Sequence, residues 1–152
     1  VVLASEKTGN ILSVTSILKS LQKTHQVQLV ILEPNETLDY EEIPLSRLTD
    51  LKLMYPSVTK PNEAEVTKQF DRAYKKKNKM YPSQYAIRGF DVTFDTMMRL
   101  AQNTSFEQSA NETTSEQVEN QFNYDQKLSG GYVNKGIYIL YYDSDLTIKT
   151  AQ

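Results

Sequence analysis

The side chains that could do chemistry are few, and their spacing excludes more than it supports. The chain has one histidine, His25, and no cysteine. Thiolate nucleophiles, disulfides and zinc–thiolate sites are thereby removed, and any Ser–His machinery would have to use His25 itself. His25 falls between a helical pattern and a β-prone run, and a helix C-terminus is an ordinary place for a structural histidine. HExxH, EF-hand and CxxC patterns are missing, so no metal site is expected, and no glycine-rich phosphate loop is present. No cofactor is expected either. The carboxylates Glu33, Glu36, Asp39, Glu41 and Glu42 cluster, but no spacing among them singles out an acid–base pair. A solvated acidic loop is the simpler reading. The basic run Lys75-Lys76-Lys77 with Lys79 reads as a solvated helix end.

Bulk properties agree with a small soluble domain. The 152 residues carry a net charge of -2, with 39% hydrophobic and 24% charged residues. This balance gives no electrostatic reason to expect nucleic acid as a partner. No stretch approaches the apolar length of a membrane span. Val1-Val2-Leu3-Ala4 opens the chain without an initiator Met and reads as the start of a strand within something longer.

The elements that must position any site begin with a βαβ unit. Val1–Ala4 is a continuous apolar run suited to a strand buried on both faces. Ile11, Val14, Ile17, Leu18 and Leu21 recur at helical spacing, and Val27–Leu32 is a second apolar strand. The two strands should be parallel. A short helix is expected near Pro44–Arg47, and a third strand over Leu51–Tyr55. Pro56 and Pro61 then bracket an extended crossover. Asn62 with Glu65 has N-cap spacing for one helix, and Ser83 can cap a second. The buried face of the second is expected to be Ala86, Ile87, Phe90, Phe94, Met97, Met98 and Ala101. Residues 103–121 are polar and read as a loop. Phe122 and Tyr124 suggest a half-buried strand, Gly130-Gly131 a turn, and Ile137–Ile148 a closing β-hairpin. The fold class is α/β: a βαβ parallel-sheet lobe, then a helical segment, then a C-terminal hairpin.

In parallel α/β sheets, ligands bind beyond the carboxyl ends of the strands. Two such ends can be located, Ser5-Glu6 after the first strand and Glu33-Pro34-Asn35 after the second. A carboxylate there could hold the ammonium group of a solute; the competing reading is a solvent-facing loop.

The order of elements resembles the second half of the leucine/branched-chain amino-acid binding proteins, the type 1 periplasmic binding proteins. The resemblance lies in Leu53-Met54-Tyr55-Pro56-Ser57-Val58-Thr59-Lys60-Pro61, in Phe70-Asp71-Arg72-Ala73-Tyr74, and in Tyr81-Pro82-Ser83-Gln84-Tyr85-Ala86-Ile87-Arg88-Gly89-Phe90-Asp91. Gly130-Gly131-Tyr132-Val133-Asn134-Lys135-Gly136 is similar to a subset found in Bacteroidetes-type bacteria, some of whose members are joined to peptidoglycan-binding LysM repeats. The resemblance implies that residues 1–57 form part of the second α/β lobe. Residues 58–127 would be the crossover and helices returning to the first lobe, and 128–152 a terminal hairpin near the hinge. It implies hinge positions at Pro56 and Pro61 and ligand contacts at Ser5, Glu6, Glu33 and Asn35, with Glu33 holding an ammonium group. It further implies a non-catalytic protein of the periplasm or cell envelope, made as a signal-peptide-containing precursor. Such a protein binds an amino-acid-like or peptide-like solute for an ABC-type membrane transporter or for sensing. A scaffold role at peptidoglycan without solute binding is the alternative. Exposed strand edges of an isolated half would favour a homodimer.

Overall fold

A computed structural model describes residues 1–33, 43–60, 65–103, 105–110 and 113–151. The elements run β1 (Val2–Leu3), α1 (Thr8–Leu21), β2 (Val30–Ile31), α2 (Leu45–Asp50), β3 (Met54–Ser57), α3 (Glu65–Asn78) and α4 (Gln84–Gln102). They continue through α5 (Phe106–Ala110), β4 (Ser115–Glu116), β5 (Gln121–Phe122), β6 (Tyr124–Gln126), β7 (Tyr132–Asn134), β8 (Tyr138–Tyr142) and β9 (Ile148–Thr150). The fold class is α/β. Two compact units divide the chain: Val1–Ser57 with Tyr138–Gln152, and Val58–Ile137.

The first unit is a five-stranded sheet in the order β1-β2-β3-β8-β9. β1, β2 and β3 are parallel, as the βαβ pattern requires, and β8 and β9 add the C-terminal antiparallel hairpin. Ile11 and Leu18 of α1 and Leu48 of α2 pack with Leu29, Ile31, Ile43, Leu51 and Leu53 into one core. Each such side chain contributes roughly 1.5–3 kcal/mol by leaving water. The expectation that Val1–Ala4 is buried on both faces does not hold, because Val1 and Val2 are 61% and 63% exposed. β1 is an edge strand, and Val2 lies on the side of the sheet away from this core. Ile17 and Leu21 of α1 are likewise exposed, so the core stripe of α1 is narrower than its apolar periodicity.

The third strand begins at Met54, not Leu51, and the reason is a helix stop. Lys52 takes φ +45° just past α2. Its N–H donates to the Thr49 carbonyl, and Leu53 N–H donates to the Leu48 carbonyl at 3.0 Å. This is the paired 5→2 and 6→1 closure of a Schellman motif, with Leu53 and Leu48 supplying its hydrophobic contact. Glycine usually marks that position. A lysine there hides the signal and makes Leu51–Tyr55 read as a strand.

Pro56 lies inside β3 and decides where its pairing ends. Met54 N–H donates to the Leu29 carbonyl at 2.9 Å. On a parallel ladder the next donor in phase is two residues on, and Pro56 has no N–H to give. The β2–β3 register stops at Val30↔Met54 accordingly. On the other edge Pro56 stands opposite Ile139. Tyr142 N–H donates to the Leu53 carbonyl there, so the hydrogen-bonded places fall at Leu53 and alternate residues after it. Pro56 occupies a place between them, where no donor is needed. Pro61 and Asn62 lie outside the described residues.

In the second unit, Ser83 caps α4 by accepting from Ala86 N–H at 3.3 Å. The stretch expected to be a loop, 103–121, instead carries α5 and β4, and β4 pairs with β5 in register Ser115↔Phe122. Phe122 and Tyr124 belong to two separate strands, β5 and β6. β6 and β7 form a hairpin closed by Gly130 and Gly131 at φ +91° and +80°, a backbone that only glycine takes without strain. Gly136 is needed for a different reason: a Cβ there would lie 2.2 Å from the Gln121 carbonyl oxygen.

Candidate functional site

Where β1 and β2 end, their carboxyl termini open a groove of about 480 Å³ lined by Leu3, Ala4, Ser5, Glu6, Lys7, Leu32 and Glu33. Three of the four residues singled out from sequence, Ser5, Glu6 and Glu33, stand together there. Asn35 lies outside the described residues, as do Glu36, Asp39, Glu41 and Glu42. Sequence reasoning missed Lys7, whose position as N-cap of α1 brings it to the same groove. Strand β1 and helix α1 are joined by only four residues, so Lys7 could have been found from loop length alone.

The polar groups of this groove are held but not consumed. Ser5 Oγ accepts from Lys7 N–H at 3.3 Å and from Asn10 Nδ2 at 3.2 Å, which fixes the hydroxyl and leaves its own proton to donate. Glu6, Lys7 and Glu33 form no ion pair with another described residue. Two carboxylates, one ammonium and one hydroxyl therefore border an apolar floor of Leu3, Ala4 and Leu32. That set suits a small ligand carrying a positive charge beside an apolar group.

At the opposite, amino end of the strands lies an open groove of about 540 Å³ lined by residues that include Gln22, His25, Gln28, Asp50 and Lys52. His25 is exposed, and its Nδ1 shares a 2.8 Å hydrogen bond with the adjacent Thr24 hydroxyl. Among the described residues no carboxylate is hydrogen-bonded to it. No group of three His, Asp or Glu side chains among the described residues is placed to hold a metal ion. No helix among them is long and apolar enough to cross a membrane.

The largest departure from expectation is on α4. Phe90, Phe94, Met97 and Met98, expected in the core, are 39%, 41%, 63% and 41% exposed. The buried residues of α4 are Ile87, Asp91, Asp95 and Arg99, one every fourth position. Asp91 accepts from the backbone N–H groups of Val118, Glu119 and Asn120, each at 3.0 Å, and from Asn120 Nδ2 at 2.8 Å. Asp95 accepts from Arg99 Nε at 2.9 Å, from the Ser115 hydroxyl and from the Tyr124 hydroxyl at 3.3 Å. Arg99 also donates to the carbonyls of Ser109 and Thr113 at 2.7 and 3.0 Å and to the Ser115 hydroxyl at 3.0 Å. A hydrogen-bonded polar stripe thus replaces an apolar one and binds Ser109, Thr113, Ser115, residues 118–120 and Tyr124 to the helix. The signal was present as Asp, Asp and Arg at steps of four, but apolar periodicity outweighed it.

Tyr124 gives this network a pH signature. Burial, then the neighbouring Asp95 charge, push its hydroxyl up to about 12 from 10.0. The folded state thus holds this proton more tightly than the unfolded state. Its stabilising contribution is complete below pH 10.0 and is lost as pH rises toward about 12. Alkaline melting curves of the wild type should therefore fall more steeply over that window than those of Tyr124→Phe. Parallel curves would show that the hydroxyl does not titrate in this way.

The site and sheet define the class of the protein as an α/β fold with its groove at the strand carboxyl ends. No family model and no curated protein matches the chain. Among solved structures, an ABC transporter substrate-binding protein from Desulfitobacterium hafniense, in complex with Leu, is similar over 91% of this chain at 15% identity and a TM-score of 0.42. The chain spans 40% of that protein's length.

Proposed function

We propose that this chain is the C-terminal part of a type 1 periplasmic solute-binding protein of the leucine/branched-chain amino-acid type. In this reading it is non-catalytic and extracytoplasmic. It binds an amino-acid-like or peptide-like solute for delivery to an ABC-type membrane transporter or for sensing. The observation that carries the proposal is the convergence of Ser5, Glu6 and Glu33 on one groove at the carboxyl ends of β1 and β2. Glu33 takes the solute's ammonium group, Ser5 donates a hydrogen bond, and Leu3 and Leu32 receive its apolar portion. A facing lobe that closes over the solute would exclude water and strengthen these few polar contacts. Pro56 and Pro61 are the proposed hinge positions.

Calorimetric titration of the full-length protein with single amino acids, short peptides and muropeptides tests this. A binding heat is expected for at least one class. Glu33→Gln should weaken it by about ten- to a hundredfold, the worth of one charge-assisted hydrogen bond. Silence across the panel, or affinity indifferent to Glu33→Gln, would sink the proposal.

A second reading is favoured by the open apolar face of α4 around Phe90, Phe94 and Met97. In it the fold serves as a cell-envelope scaffold that contacts peptidoglycan or a partner protein, with LysM repeats elsewhere in the gene product. Edge strand β1 would equally let the isolated chain pair with a second copy.

A further inference from the structure

We propose that the tip joining α3 to α4 is a docking surface for anionic phospholipid membranes. The argument is independent of the solute groove and starts from charge. In a chain with 19 acidic residues and a net charge of -2, no Asp or Glu occurs between Asp71 and Asp91. Besides Arg72, that interval holds Lys75, Lys76, Lys77, Lys79 and Arg88, all exposed. No described carboxylate pairs with any of them; the α3 ion pair, Arg72 with Glu65, lies toward the other end of the helix.

A helix C-terminus favours cations, but one or two complete that interaction. The remaining charge is unexplained by the fold. Beside it stand Met80, Tyr81 and Tyr85, which are 63%, 63% and 85% exposed. Three large side chains at one turn thus leave much of their apolar surface in water. Lys79 ends α3 with φ +63°, its N–H closing on the Lys75 carbonyl at 2.9 Å, so the chain turns sharply there. The ammonium of Lys75 sits 4.0 Å over the Tyr81 ring, which places cation and aromatic on the same surface. Ser83 caps α4, so Tyr85 is presented by its first turn and Arg88 by the start of the second.

This pairing of unneutralised cations with projecting Tyr and Met side chains matches the headgroup region of an anionic bilayer. Phosphates there meet the lysines, and amphipathic rings settle at the polar–apolar boundary. A soluble acidic polymer would use the lysines but has no place for Met80 and Tyr85.

Flotation of the full-length protein with vesicles of phosphatidylcholine alone, or of phosphatidylcholine and phosphatidylglycerol in equal parts, tests the proposal. Binding is expected only with phosphatidylglycerol and should fall with added salt. Each cation near the surface adds about fivefold, so Lys76→Gln, Lys77→Gln and Lys79→Gln together should reduce binding by on the order of a hundredfold. Met80→Ser with Tyr85→Ser, which leaves the charge intact, should reduce it by about tenfold. Lys23→Gln, the same change at an exposed lysine just past α1 in the other unit, should leave it unchanged. Absence of binding, or equal binding to both vesicles, overturns the proposal. Binding to soluble polyglutamate that Lys76→Gln, Lys77→Gln and Lys79→Gln together abolish, with vesicle binding indifferent to Met80→Ser with Tyr85→Ser, also overturns it and identifies an acidic polymer as the partner.

Discussion

Asp91→Ala is expected to destabilise the second unit by about 3–5 kcal/mol, an effect at the high end for a single substitution. The carboxylate is fully buried and receives donors from Val118, Glu119, Asn120 and the Asn120 side chain. Removing it leaves three backbone N–H groups and an amide without an acceptor, those of Val118 and Asn120 buried and that of Glu119 part-buried. An orphaned buried donor costs about 1–3 kcal/mol, and partial rearrangement keeps the total below the sum. Because the chain divides into two units, the sharpest readout is local. Amide exchange at residues 118–120 should accelerate strongly, with exchange in the β1–β3 region unchanged. Asp91→Asn keeps the shape and one acceptor oxygen, so it should fall between wild type and alanine. Wild-type exchange at 118–120 in the alanine variant would refute the role assigned to Asp91.

Arg99→Met should cost a similar amount, about 3–5 kcal/mol, for a different reason. It leaves Asp95, 1% exposed, as a buried charge without its cation, and it releases the carbonyls of Ser109 and Thr113. Lysine should not rescue it. Arg99 bonds Asp95 through Nε, Ser109 through Nη1, and Thr113 and Ser115 through Nη2, a planar fork that one ammonium cannot reproduce. Pairing Arg99→Met with Asp95→Leu should recover part of the loss, because the Asp95 charge that lost its cation is then removed as well. Chemical denaturation followed by tyrosine fluorescence measures both. A double variant no better than Arg99→Met alone would show that the carbonyls, not the Asp95 charge, carry the cost.

These two residues also show where sequence reasoning fails. α4 was legible as a helix with its cap at Ser83, because apolar residues at helical spacing and a serine before them are local signals. Which side of α4 faces inward was not. Phe90, Phe94 and Met97 form the stronger apolar stripe, yet the inward side is the neighbouring one of Asp91, Asp95 and Arg99. A polar stripe becomes interior only when donors and acceptors far along the chain meet it, and residues 109–124 cannot be matched to it by pattern. The polarity of residues 103–121 reads as a loop for the same reason: the hydrogen bonds that hold Ser109, Thr113, Ser115 and residues 118–120 are not local. The Schellman closure at Lys52 was hidden similarly, since only φ distinguishes it from a strand approach.

The sequence by itself determined the α/β class, the parallel βαβ start, the helices α1, α3 and α4, the closing hairpin, and the position of Ser5, Glu6 and Glu33 just past strand ends. All of these follow from apolar period and from breakers acting over a few residues. Tertiary structure alone decided that those side chains share one groove with Lys7. It alone gave Pro56 a ladder position that needs no donor, and turned Asp91, Asp95 and Arg99 inward. Each of those outcomes depends on partners brought together from distant parts of the chain, and hydrogen-bond geometry at such range leaves no mark on residue spacing.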